Sequence, residues 1–264
     1  MKYCLSVGIH NLFYDIAIVN DKYEIIDKRK CSYDRNKDIA SNIFNAYQKY
    51  FSGFKLIGVG VGISNNIDHK DDFLYKVTSF GFNRYNLKQS LGKLFKIDVY
   101  MLEDTYLASL ALSYKLDVES LMYIILDNRI SNSIVIRNQI LELEDDIDLK
   151  KNKNLYIKCG KNALKSKFLI EGFDDDNICL HFLSHKKETK NLIGKWVKDL
   201  EINIKKVIKE IPVKNIVFGG FIGSYYDYFK EYLLIGKNIK CSGVSNHRDL
   251  TLLGIGNLIF KDKQ

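Results

Sequence analysis

The 264-residue sequence has one proline, five cysteines and no long apolar run. A single proline excludes proline-rich linkers and collagen-like repeats. The cysteines are odd in number, are widely spaced and form no C-x-x-C pair, which excludes a disulfide framework and favours reduced thiols. Runs as short as Leu121–Leu126 cannot span a bilayer. Because the start also lacks a signal-peptide pattern, we expect a cytoplasmic protein with no membrane partner.

The chain also lacks any block of like charges. Forty basic and thirty-two acidic residues give a formal net charge of +8, but the basic residues are scattered along the chain. A basic protein can bind nucleic acid or another anion, and salt-sensitive binding to polyanions would support that hypothesis. The simpler interpretation is a lysine-rich surface around an ordinary core, because 46% of the residues are hydrophobic.

The predicted secondary structure follows a similar order in the two halves of the chain. The first half has strands at Lys2–Val7, Phe13–Val19, Tyr23–Ser32, Leu56–Val61 and Val99–Leu102, and helices at Asp38–Phe51, Leu87–Phe95 and Thr105–Lys115. The second half has strands at Leu121–Leu126, Ser133–Ile136, Gln139–Leu143 and Asn215–Phe218, and helices at Glu188–Glu210, Ser224–Leu234 and His247–Phe260. Antiparallel strands followed by α/β units predict a mixed sheet with helices on both faces in each half, and a ligand cleft between the halves.

Five segments resemble, in order and at similar spacing, the ROK family of sugar kinases and sugar-responsive repressors. They are Ile57–Gly62, Val99–Asp104, Ile134–Ile140, Ile216–Gly220 and Leu252–Gly254. The resemblance covers nearly the whole chain. It implies an α/β, actin-like (ribonuclease H-like) fold of two duplicated lobes, each a mixed five-stranded sheet flanked by helices. The lobes would be residues 1–104 with 247–264, and residues 105–246. A homodimer formed through the second lobe is a further expectation from the family.

The first phosphate loop of the resembled family reads Asp-x-Gly-Gly-Thr, and its backbone N–H groups and hydroxyl hold ATP phosphates. The matching segment here reads Gly-Ile-His-Asn-Leu over Gly8–Leu12. The resemblance makes Gly8, His10 and Asn11 candidate nucleotide-binding residues. One glycine with a bulky Ile-His pair is a poor phosphate nest. His10 either donates to an anion or is a turn histidine that faces solvent.

The second phosphate loop of the family is rich in glycine, because the backbone must approach the phosphates closely. Here Asp127–Ser133 contains no glycine, and Asp127 would place a negative charge near the phosphates. Asn128 and Arg129 are the candidate contacts in this loop. Gly219 and Gly220 resemble the family's adenosine-contacting glycines, although a tight strand-to-helix turn needs glycine as well.

The catalytic signature of the family is Glu-Asn-Asp, in which the Asp is the general base for the sugar hydroxyl. The matching residues here are Leu102, Glu103 and Asp104. Asp104 therefore keeps the position of the base, and it could equally cap the following helix. The candidate sugar-binding residues are Glu103, Glu142 and Glu144.

The family's zinc ligands are mostly missing. Leu141–Ile147 has no histidine, and Ile157–Leu164 keeps one cysteine, Cys159, of the three that the family uses. Zinc needs about four ligands, so we predict no metal site. The first residues lead directly into a strand, so we also expect no N-terminal helix-turn-helix and no specific DNA binding.

These departures predict a degenerate ROK-like protein with little or no kinase activity. It would bind a small molecule, such as a sugar, or act as a regulatory protein, with no cofactor assigned. The alternative is an active sugar kinase, for a hexose or an N-acyl-hexosamine, that uses Mg-ATP and Asp104 as the base. Phosphoryl transfer depends on positioning and charge neutralisation around the phosphates, and the altered loops therefore favour the first hypothesis.

Overall fold

The computed structural model describes residues 1–63, 67–68, 73–77, 82–128, 130–145, 147–173, 178–183 and 187–263. The chain divides into two compact units, Met1–Lys115 with Arg248–Gln264, and Leu116–His247. The sequence prediction placed the boundary after residue 104. The helix Asp104–Leu116 instead lies almost entirely in the first unit, because it packs against the C-terminal helix there. No helix in the described ranges has the length and hydropathy needed to cross a membrane.

The first unit is built on a mixed five-stranded sheet with the order β3-β2-β1-β4-β8, in which β4 and β8 run parallel to β1. A separate three-stranded sheet has the order β5-β6-β7. The strands are β1 (Tyr3–Ile9), β2 (Phe13–Asn20), β3 (Ile25–Ser32), β4 (Leu56–Ile63), β5 (Ile67–Asp68), β6 (Phe73–Val77), β7 (Phe82–Tyr85) and β8 (Val99–Glu103). The helices are α1 (Ile39–Tyr50), α2 (Leu87–Phe95), α3 (Asp104–Leu116) and, later in the chain, α10 (His247–Asp262).

The second unit has its own mixed five-stranded sheet, with the order β11-β10-β9-β12-β13. Its strands are β9 (Ser120–Leu126), β10 (Ile130–Ile136), β11 (Gln139–Leu141), β12 (Asn215–Gly219) and β13 (Lys240–Gly243). Its helices are α4 (Lys153–Cys159), α5 (Lys161–Ile170), α6 (Ile178–Leu183), α7 (Lys187–Glu210), α8 (Gly220–Gly223) and α9 (Tyr226–Phe229), with short 3-10 turns at Leu149–Lys151 and Lys230–Tyr232. The predicted pair of mixed five-stranded sheets is confirmed.

Helix α1 shows how local sequence sets an element of the first unit. Asp38 caps its N-terminus, because the Asp38 side chain accepts a hydrogen bond from the Ser41 backbone N–H at 2.7 Å. Ile39, Ile43 and Ala46 recur at helical spacing and are buried against one face of the sheet. In the second unit, α7 likewise buries one apolar face around Trp196, while the lysines of its other face are exposed, as the periodicity predicted.

The other face of the first sheet is covered by α10 and α3 at very short range. A Cβ atom at Gly60 would overlap the Ile255 side chain of α10. A Cβ atom at Gly254 would overlap the backbone carbonyl of Leu107 in α3. The glycines of β4 therefore serve the close approach of a helix to the strand. The predicted buried parallel strand is confirmed, and it extends to Ile63.

The second unit differs from prediction after β12. The predicted helix Ser224–Leu234 is instead divided into α8, α9 and a 3-10 turn. At Gly223 a Cβ atom would lie 2.9 Å from the Phe218 carbonyl carbon, so this segment folds back tightly on its own strand. The edge strand β13 was not predicted, because Lys-Cys-Ser-Gly has no hydrophobic alternation. Its pairing with β12, rather than its composition, makes it a strand.

We expect Gly60→Ala to destabilise the first unit, because the added methyl group must displace Ile255 or shift α10. Overpacking of this kind typically costs about 1–3 kcal/mol. Gly92→Ala is the matched control, since nothing lies within 4 Å of a Cβ atom there and alanine favours the helix. Urea denaturation measures both variants. Equal stability of Gly60→Ala and the wild type would contradict the packing described here.

Candidate functional site

The first candidate loop joins β1 to β2 as a tight hairpin. The His10 backbone N–H donates to the Phe13 carbonyl at 3.0 Å, and the Leu12 side chain in the turn is exposed. The His10 ring folds back over Gly8, because a Cβ atom at Gly8 would lie 3.6 Å from His10 Nε2. Asn11 is exposed in the turn. The hairpin therefore brings Gly8 and His10 together, but His10 covers Gly8.

His10 contacts a buried carboxylate and does not simply face solvent, which corrects one of the two readings of the sequence. Its Nε2 lies 3.2 Å from Asp15 Oδ2, and the Asp15 side chain is only 5% exposed. Asp15 lies on β2 directly opposite Gly8. Arg248, in the first turn of α10, places Nη1 3.6 Å from the same oxygen. One buried carboxylate oxygen thus holds a histidine and an arginine.

The charges around Asp15 decide its ionisation. Burial opposes the charged form, but the hydrogen bond with His10 and the charges of His10, Arg248 and Lys28 outweigh burial and hold the pKa of Asp15 below its ordinary value. Sequence reasoning missed this residue and used it only as an interruption of an apolar segment. An aspartate inside a buried strand was the available signal, because such a charge is almost never buried without a partner.

The end of β8 carries two successive carboxylates. Glu103 is the last residue of β8 and is buried, whereas Asp104 is the first residue of α3 and is half-buried. The Asp104 carboxylate accepts a hydrogen bond from Thr105 Oγ1 at 3.3 Å, and its carbonyl accepts one from Thr251 Oγ1 at 3.4 Å. A negative charge in the first turn is favoured by the helix dipole. The base and helix-terminus roles of Asp104 are therefore compatible.

The second candidate loop follows β9. The Asp127 carboxylate accepts a hydrogen bond from the Asn128 backbone N–H at 2.8 Å, and the Asp127 carbonyl accepts one from the Lys161 backbone N–H at 2.9 Å. A Cβ atom at Gly160 would lie 2.8 Å from the Asn128 carbonyl oxygen. The loop is thus folded against the start of α5. Arg129, the other predicted contact, lies outside the described residues.

Gly219 and Gly220 stand at the end of β12, beside the end of β9. A Cβ atom at Gly219 would overlap the hydroxyl of Tyr123, which is fully buried and lies 2.9 Å from His247 Nδ1. Gly220 has a φ of +79°, and a Cβ atom there would lie 2.8 Å from the Leu126 carbonyl oxygen. Both glycines are therefore required by the packing of the second unit itself.

The remaining candidates lie on the surface or in the core of the second unit. Glu142 and Glu144 are both exposed on the segment that follows the edge strand β11. Cys159 is buried, and burial raises the pKa of its thiol to about 12. Within the ranges that the structure describes, no three potential metal ligands lie together. The absence of zinc stays a prediction.

We expect Asp15→Asn to lower the free energy of unfolding at pH 7 by about 2 kcal/mol, since it removes a charged hydrogen-bond acceptor. Because the pKa of Asp15 is lowered in the folded state, its contribution is complete above the unfolded pKa of about 3.9 and is lost as pH falls through the folded pKa. The difference between variant and wild type should therefore shrink toward pH 3.

Urea denaturation between pH 3 and pH 7 measures this difference. Asp227→Asn is the matched control, because its ion pair with Lys230 is highly exposed and should contribute little. A difference for Asp15→Asn that is constant over the whole pH range would contradict the described ionisation.

Comparisons with known proteins give one kind of similarity. No protein-family model and no curated protein matches the chain. Solved structures do match. The hexokinase of the ROK family from Thermus thermophilus has a TM-score of 0.78 at 14% identity, over 99% of this chain and 100% of that one. A ROK-family protein from Streptococcus pneumoniae, solved with sucrose, has a TM-score of 0.77 at 11% identity, over 99% of each chain.

A regulator has the same fold as these two proteins. It is a ROK-family transcriptional regulator described as a homolog of the E. coli MLC protein, with a TM-score of 0.81 at 12% identity. The match covers 99% of this chain and 79% of the regulator. At these identities the similarity shows the fold, and the two-lobed, actin-like fold that the sequence motifs predicted is confirmed.

Proposed function

We propose that this chain, which has the fold of the ROK-family sugar kinases and regulators, is a sugar-kinase-like protein with little or no kinase activity. It binds a small ligand, of which a sugar is the first candidate, and acts through that binding. The observation that carries the proposal is that groups of the protein itself fill the places where the resembled family holds ATP phosphates and adenosine.

The first hairpin supports this proposal through side-chain chemistry. A phosphate cradle needs exposed backbone N–H groups and a positive potential. Here the His10 ring covers Gly8, and the Asp15 carboxylate lies opposite Gly8. A phosphate would meet this buried negative charge. Since one Asp15 oxygen is already shared by His10 and Arg248, the carboxylate is also a poor substitute for the metal-placing Asp of the family.

The second unit supports it independently. The Asp127 carboxylate faces its own loop backbone, where the family has phosphate-binding glycines. The space beside Gly219, which a side chain would fill in another protein, is occupied by the Tyr123 hydroxyl. The residues present therefore do not fit Mg-ATP as the resembled family binds it. We assign no phosphoryl-transfer step to this chain on that basis.

The expected loss of rate is large. Phosphoryl transfer relies on positioning and electrostatic stabilisation, and removing one stabilising donor commonly costs about 10²–10³ in kcat. Two altered loops and a missing aspartate remove several such contributions. Even if these contributions do not add fully, the residual rate would be several orders of magnitude below that of a working kinase.

Ligand binding makes fewer demands than phosphoryl transfer. Glu103 and Asp104 offer carboxylate oxygens at the end of β8, and carboxylates accept hydrogen bonds from sugar hydroxyl groups. The Streptococcus pneumoniae protein with this fold was solved with sucrose. A sugar is therefore the ligand class to test first, with Glu103 and Asp104 as its proposed contacts. Glu142 and Glu144 stay candidates as well.

The alternative function is an active ATP-dependent sugar kinase. One observation favours it: Asp104 keeps the position of the general base, in the first turn of α3, where the helix dipole helps to keep a carboxylate ionised. A homodimer, a cytoplasmic location and the absence of specific DNA binding stay predictions under either function.

A thermal-shift titration separates the two functions. We expect no shift with Mg-ATP and a shift with one member of a panel of hexoses and N-acetylated amino sugars. Saturating ligand at a hundredfold excess over its Kd would add about 2.7 kcal/mol of stability. A shift with Mg-ATP, together with sugar phosphorylation that Asp104→Asn abolishes, would overturn the proposal and establish the alternative.

Asp227→Asn is the control for Asp104→Asn, because it removes an exposed carboxylate on α9. Circular dichroism should show that both variants are folded. No shift with any nucleotide or sugar would contradict the small-ligand proposal and direct attention to protein partners.

A further inference from the structure

A polar groove lies in the first unit, between α1 and the strands β2 and β3, and has a volume of about 280 Å³. Its walls include Lys30, Lys37 and Lys49, which come from β3, the following loop and α1. None of the candidate residues discussed above lines this groove. The groove is therefore separate from the candidate functional site, and nothing in the proposed function uses it.

The charges in the groove are unbalanced. Three lysines line it against one carboxylate, that of Asp34. The Asp34 carboxylate lies 3.7 Å from Lys37 Nζ and also accepts a hydrogen bond from the Asn36 backbone N–H. Lys30 and Lys49 form no ion pair with any residue in the described part of the chain. Two ammonium groups in one groove are thus uncompensated.

Aromatic rings hold both uncompensated lysines. Lys30 Nζ lies 4.0 Å from the centroid of the Phe13 ring, and Lys49 Nζ lies 5.0 Å from that of Tyr50. A cation over a ring keeps its charge and loses part of its conformational freedom, so an arriving anion meets ammonium groups that are already partly ordered. This arrangement favours binding over a loose distribution of surface lysines.

The wall that carries these lysines is fixed by buried hydrogen bonds. Asn42 is buried, and its side-chain amide donates to the carbonyls of Asp34, Lys37 and Asp38. The Tyr14 hydroxyl donates to the Asn42 carbonyl at 2.9 Å. The loop that contributes Lys37 is therefore tied to α1, and the shape of the groove does not depend on a ligand.

We propose that this groove binds the phosphate group of a small phosphate monoester. A phosphate monoester carries about −1.5 to −2 charge near pH 7, which matches two uncompensated ammonium groups better than a carboxylate does. Lysine binds phosphate as a point charge. Ser32 and Asn45, both exposed on the groove wall, add a hydroxyl and an amide for the polar remainder of the ligand.

Isothermal titration calorimetry tests the proposal with inorganic phosphate, glucose 6-phosphate and glucose as probes. The variant is Lys30→Gln/Lys49→Gln, and the charge-matched control is Lys22→Gln/Lys55→Gln, which changes two exposed lysines outside the groove. We expect glucose 6-phosphate to bind the wild type and the control alike, and the groove variant at least about tenfold more weakly. Glucose should not bind this groove.

A second readout locates the bound phosphate. Cys31 lines the groove and is half-buried, and Cys241 is half-buried in the second unit. Thiol alkylation followed by peptide mass spectrometry should show that glucose 6-phosphate slows modification of Cys31 and leaves Cys241 unchanged. This readout remains informative even if a sugar site elsewhere also binds the probe.

Three results would overturn the proposal. They are no binding of either phosphate probe, an equal loss of affinity in the groove variant and the charge-matched control, and Cys31 modification that phosphate does not slow. Inorganic phosphate that binds as tightly as glucose 6-phosphate, with both lysines required, would support the site and identify free phosphate as its occupant.

Discussion

The close contact between α10 and the first sheet is the constraint on which the first unit depends. Helix α10 comes from the end of the chain, yet it covers the strands at the beginning, and Gly60 and Gly254 permit the approach by having no side chain. This contact joins the two ends of the chain in one unit. It also brings Arg248 to Asp15, so the hairpin that matches a phosphate loop is shaped by the same packing.

The same principle explains the second unit. Glycines that resemble nucleotide contacts, Gly219 and Gly220, are needed there by Tyr123 and by the Leu126 carbonyl. A motif can therefore persist after its ligand contacts have been replaced, because the fold still requires small residues at those positions. Similarity of fold to sugar kinases is compatible with a protein in which phosphate chemistry has been exchanged for ligand recognition.

Sequence reasoning succeeded where a pattern was local. Alternating β-branched residues placed β1 and β2, and the apolar spacing of α1 and α7 located both helices to within a few residues. It failed where pairing or packing decided the outcome. The edge strand β13 has no pattern of its own, and the fold-back at Gly223 divides the predicted helix that follows β12. Asp15 was missed because its partners, His10 and Arg248, lie far apart in the sequence.

The sequence by itself determined the fold class, the two mixed sheets and the position of Asp104 at the junction of β8 and α3, because hydrophobic periodicity and short motifs are properties of neighbouring residues. Only the tertiary structure decided what each charged or small residue does. It showed that Asp15 is buried and shared by two cations, and that Gly219 makes room for Tyr123. It also showed that Lys30 and Lys49 face one groove without a counter-charge. Such roles depend on distances between residues remote in the chain, which no local pattern records.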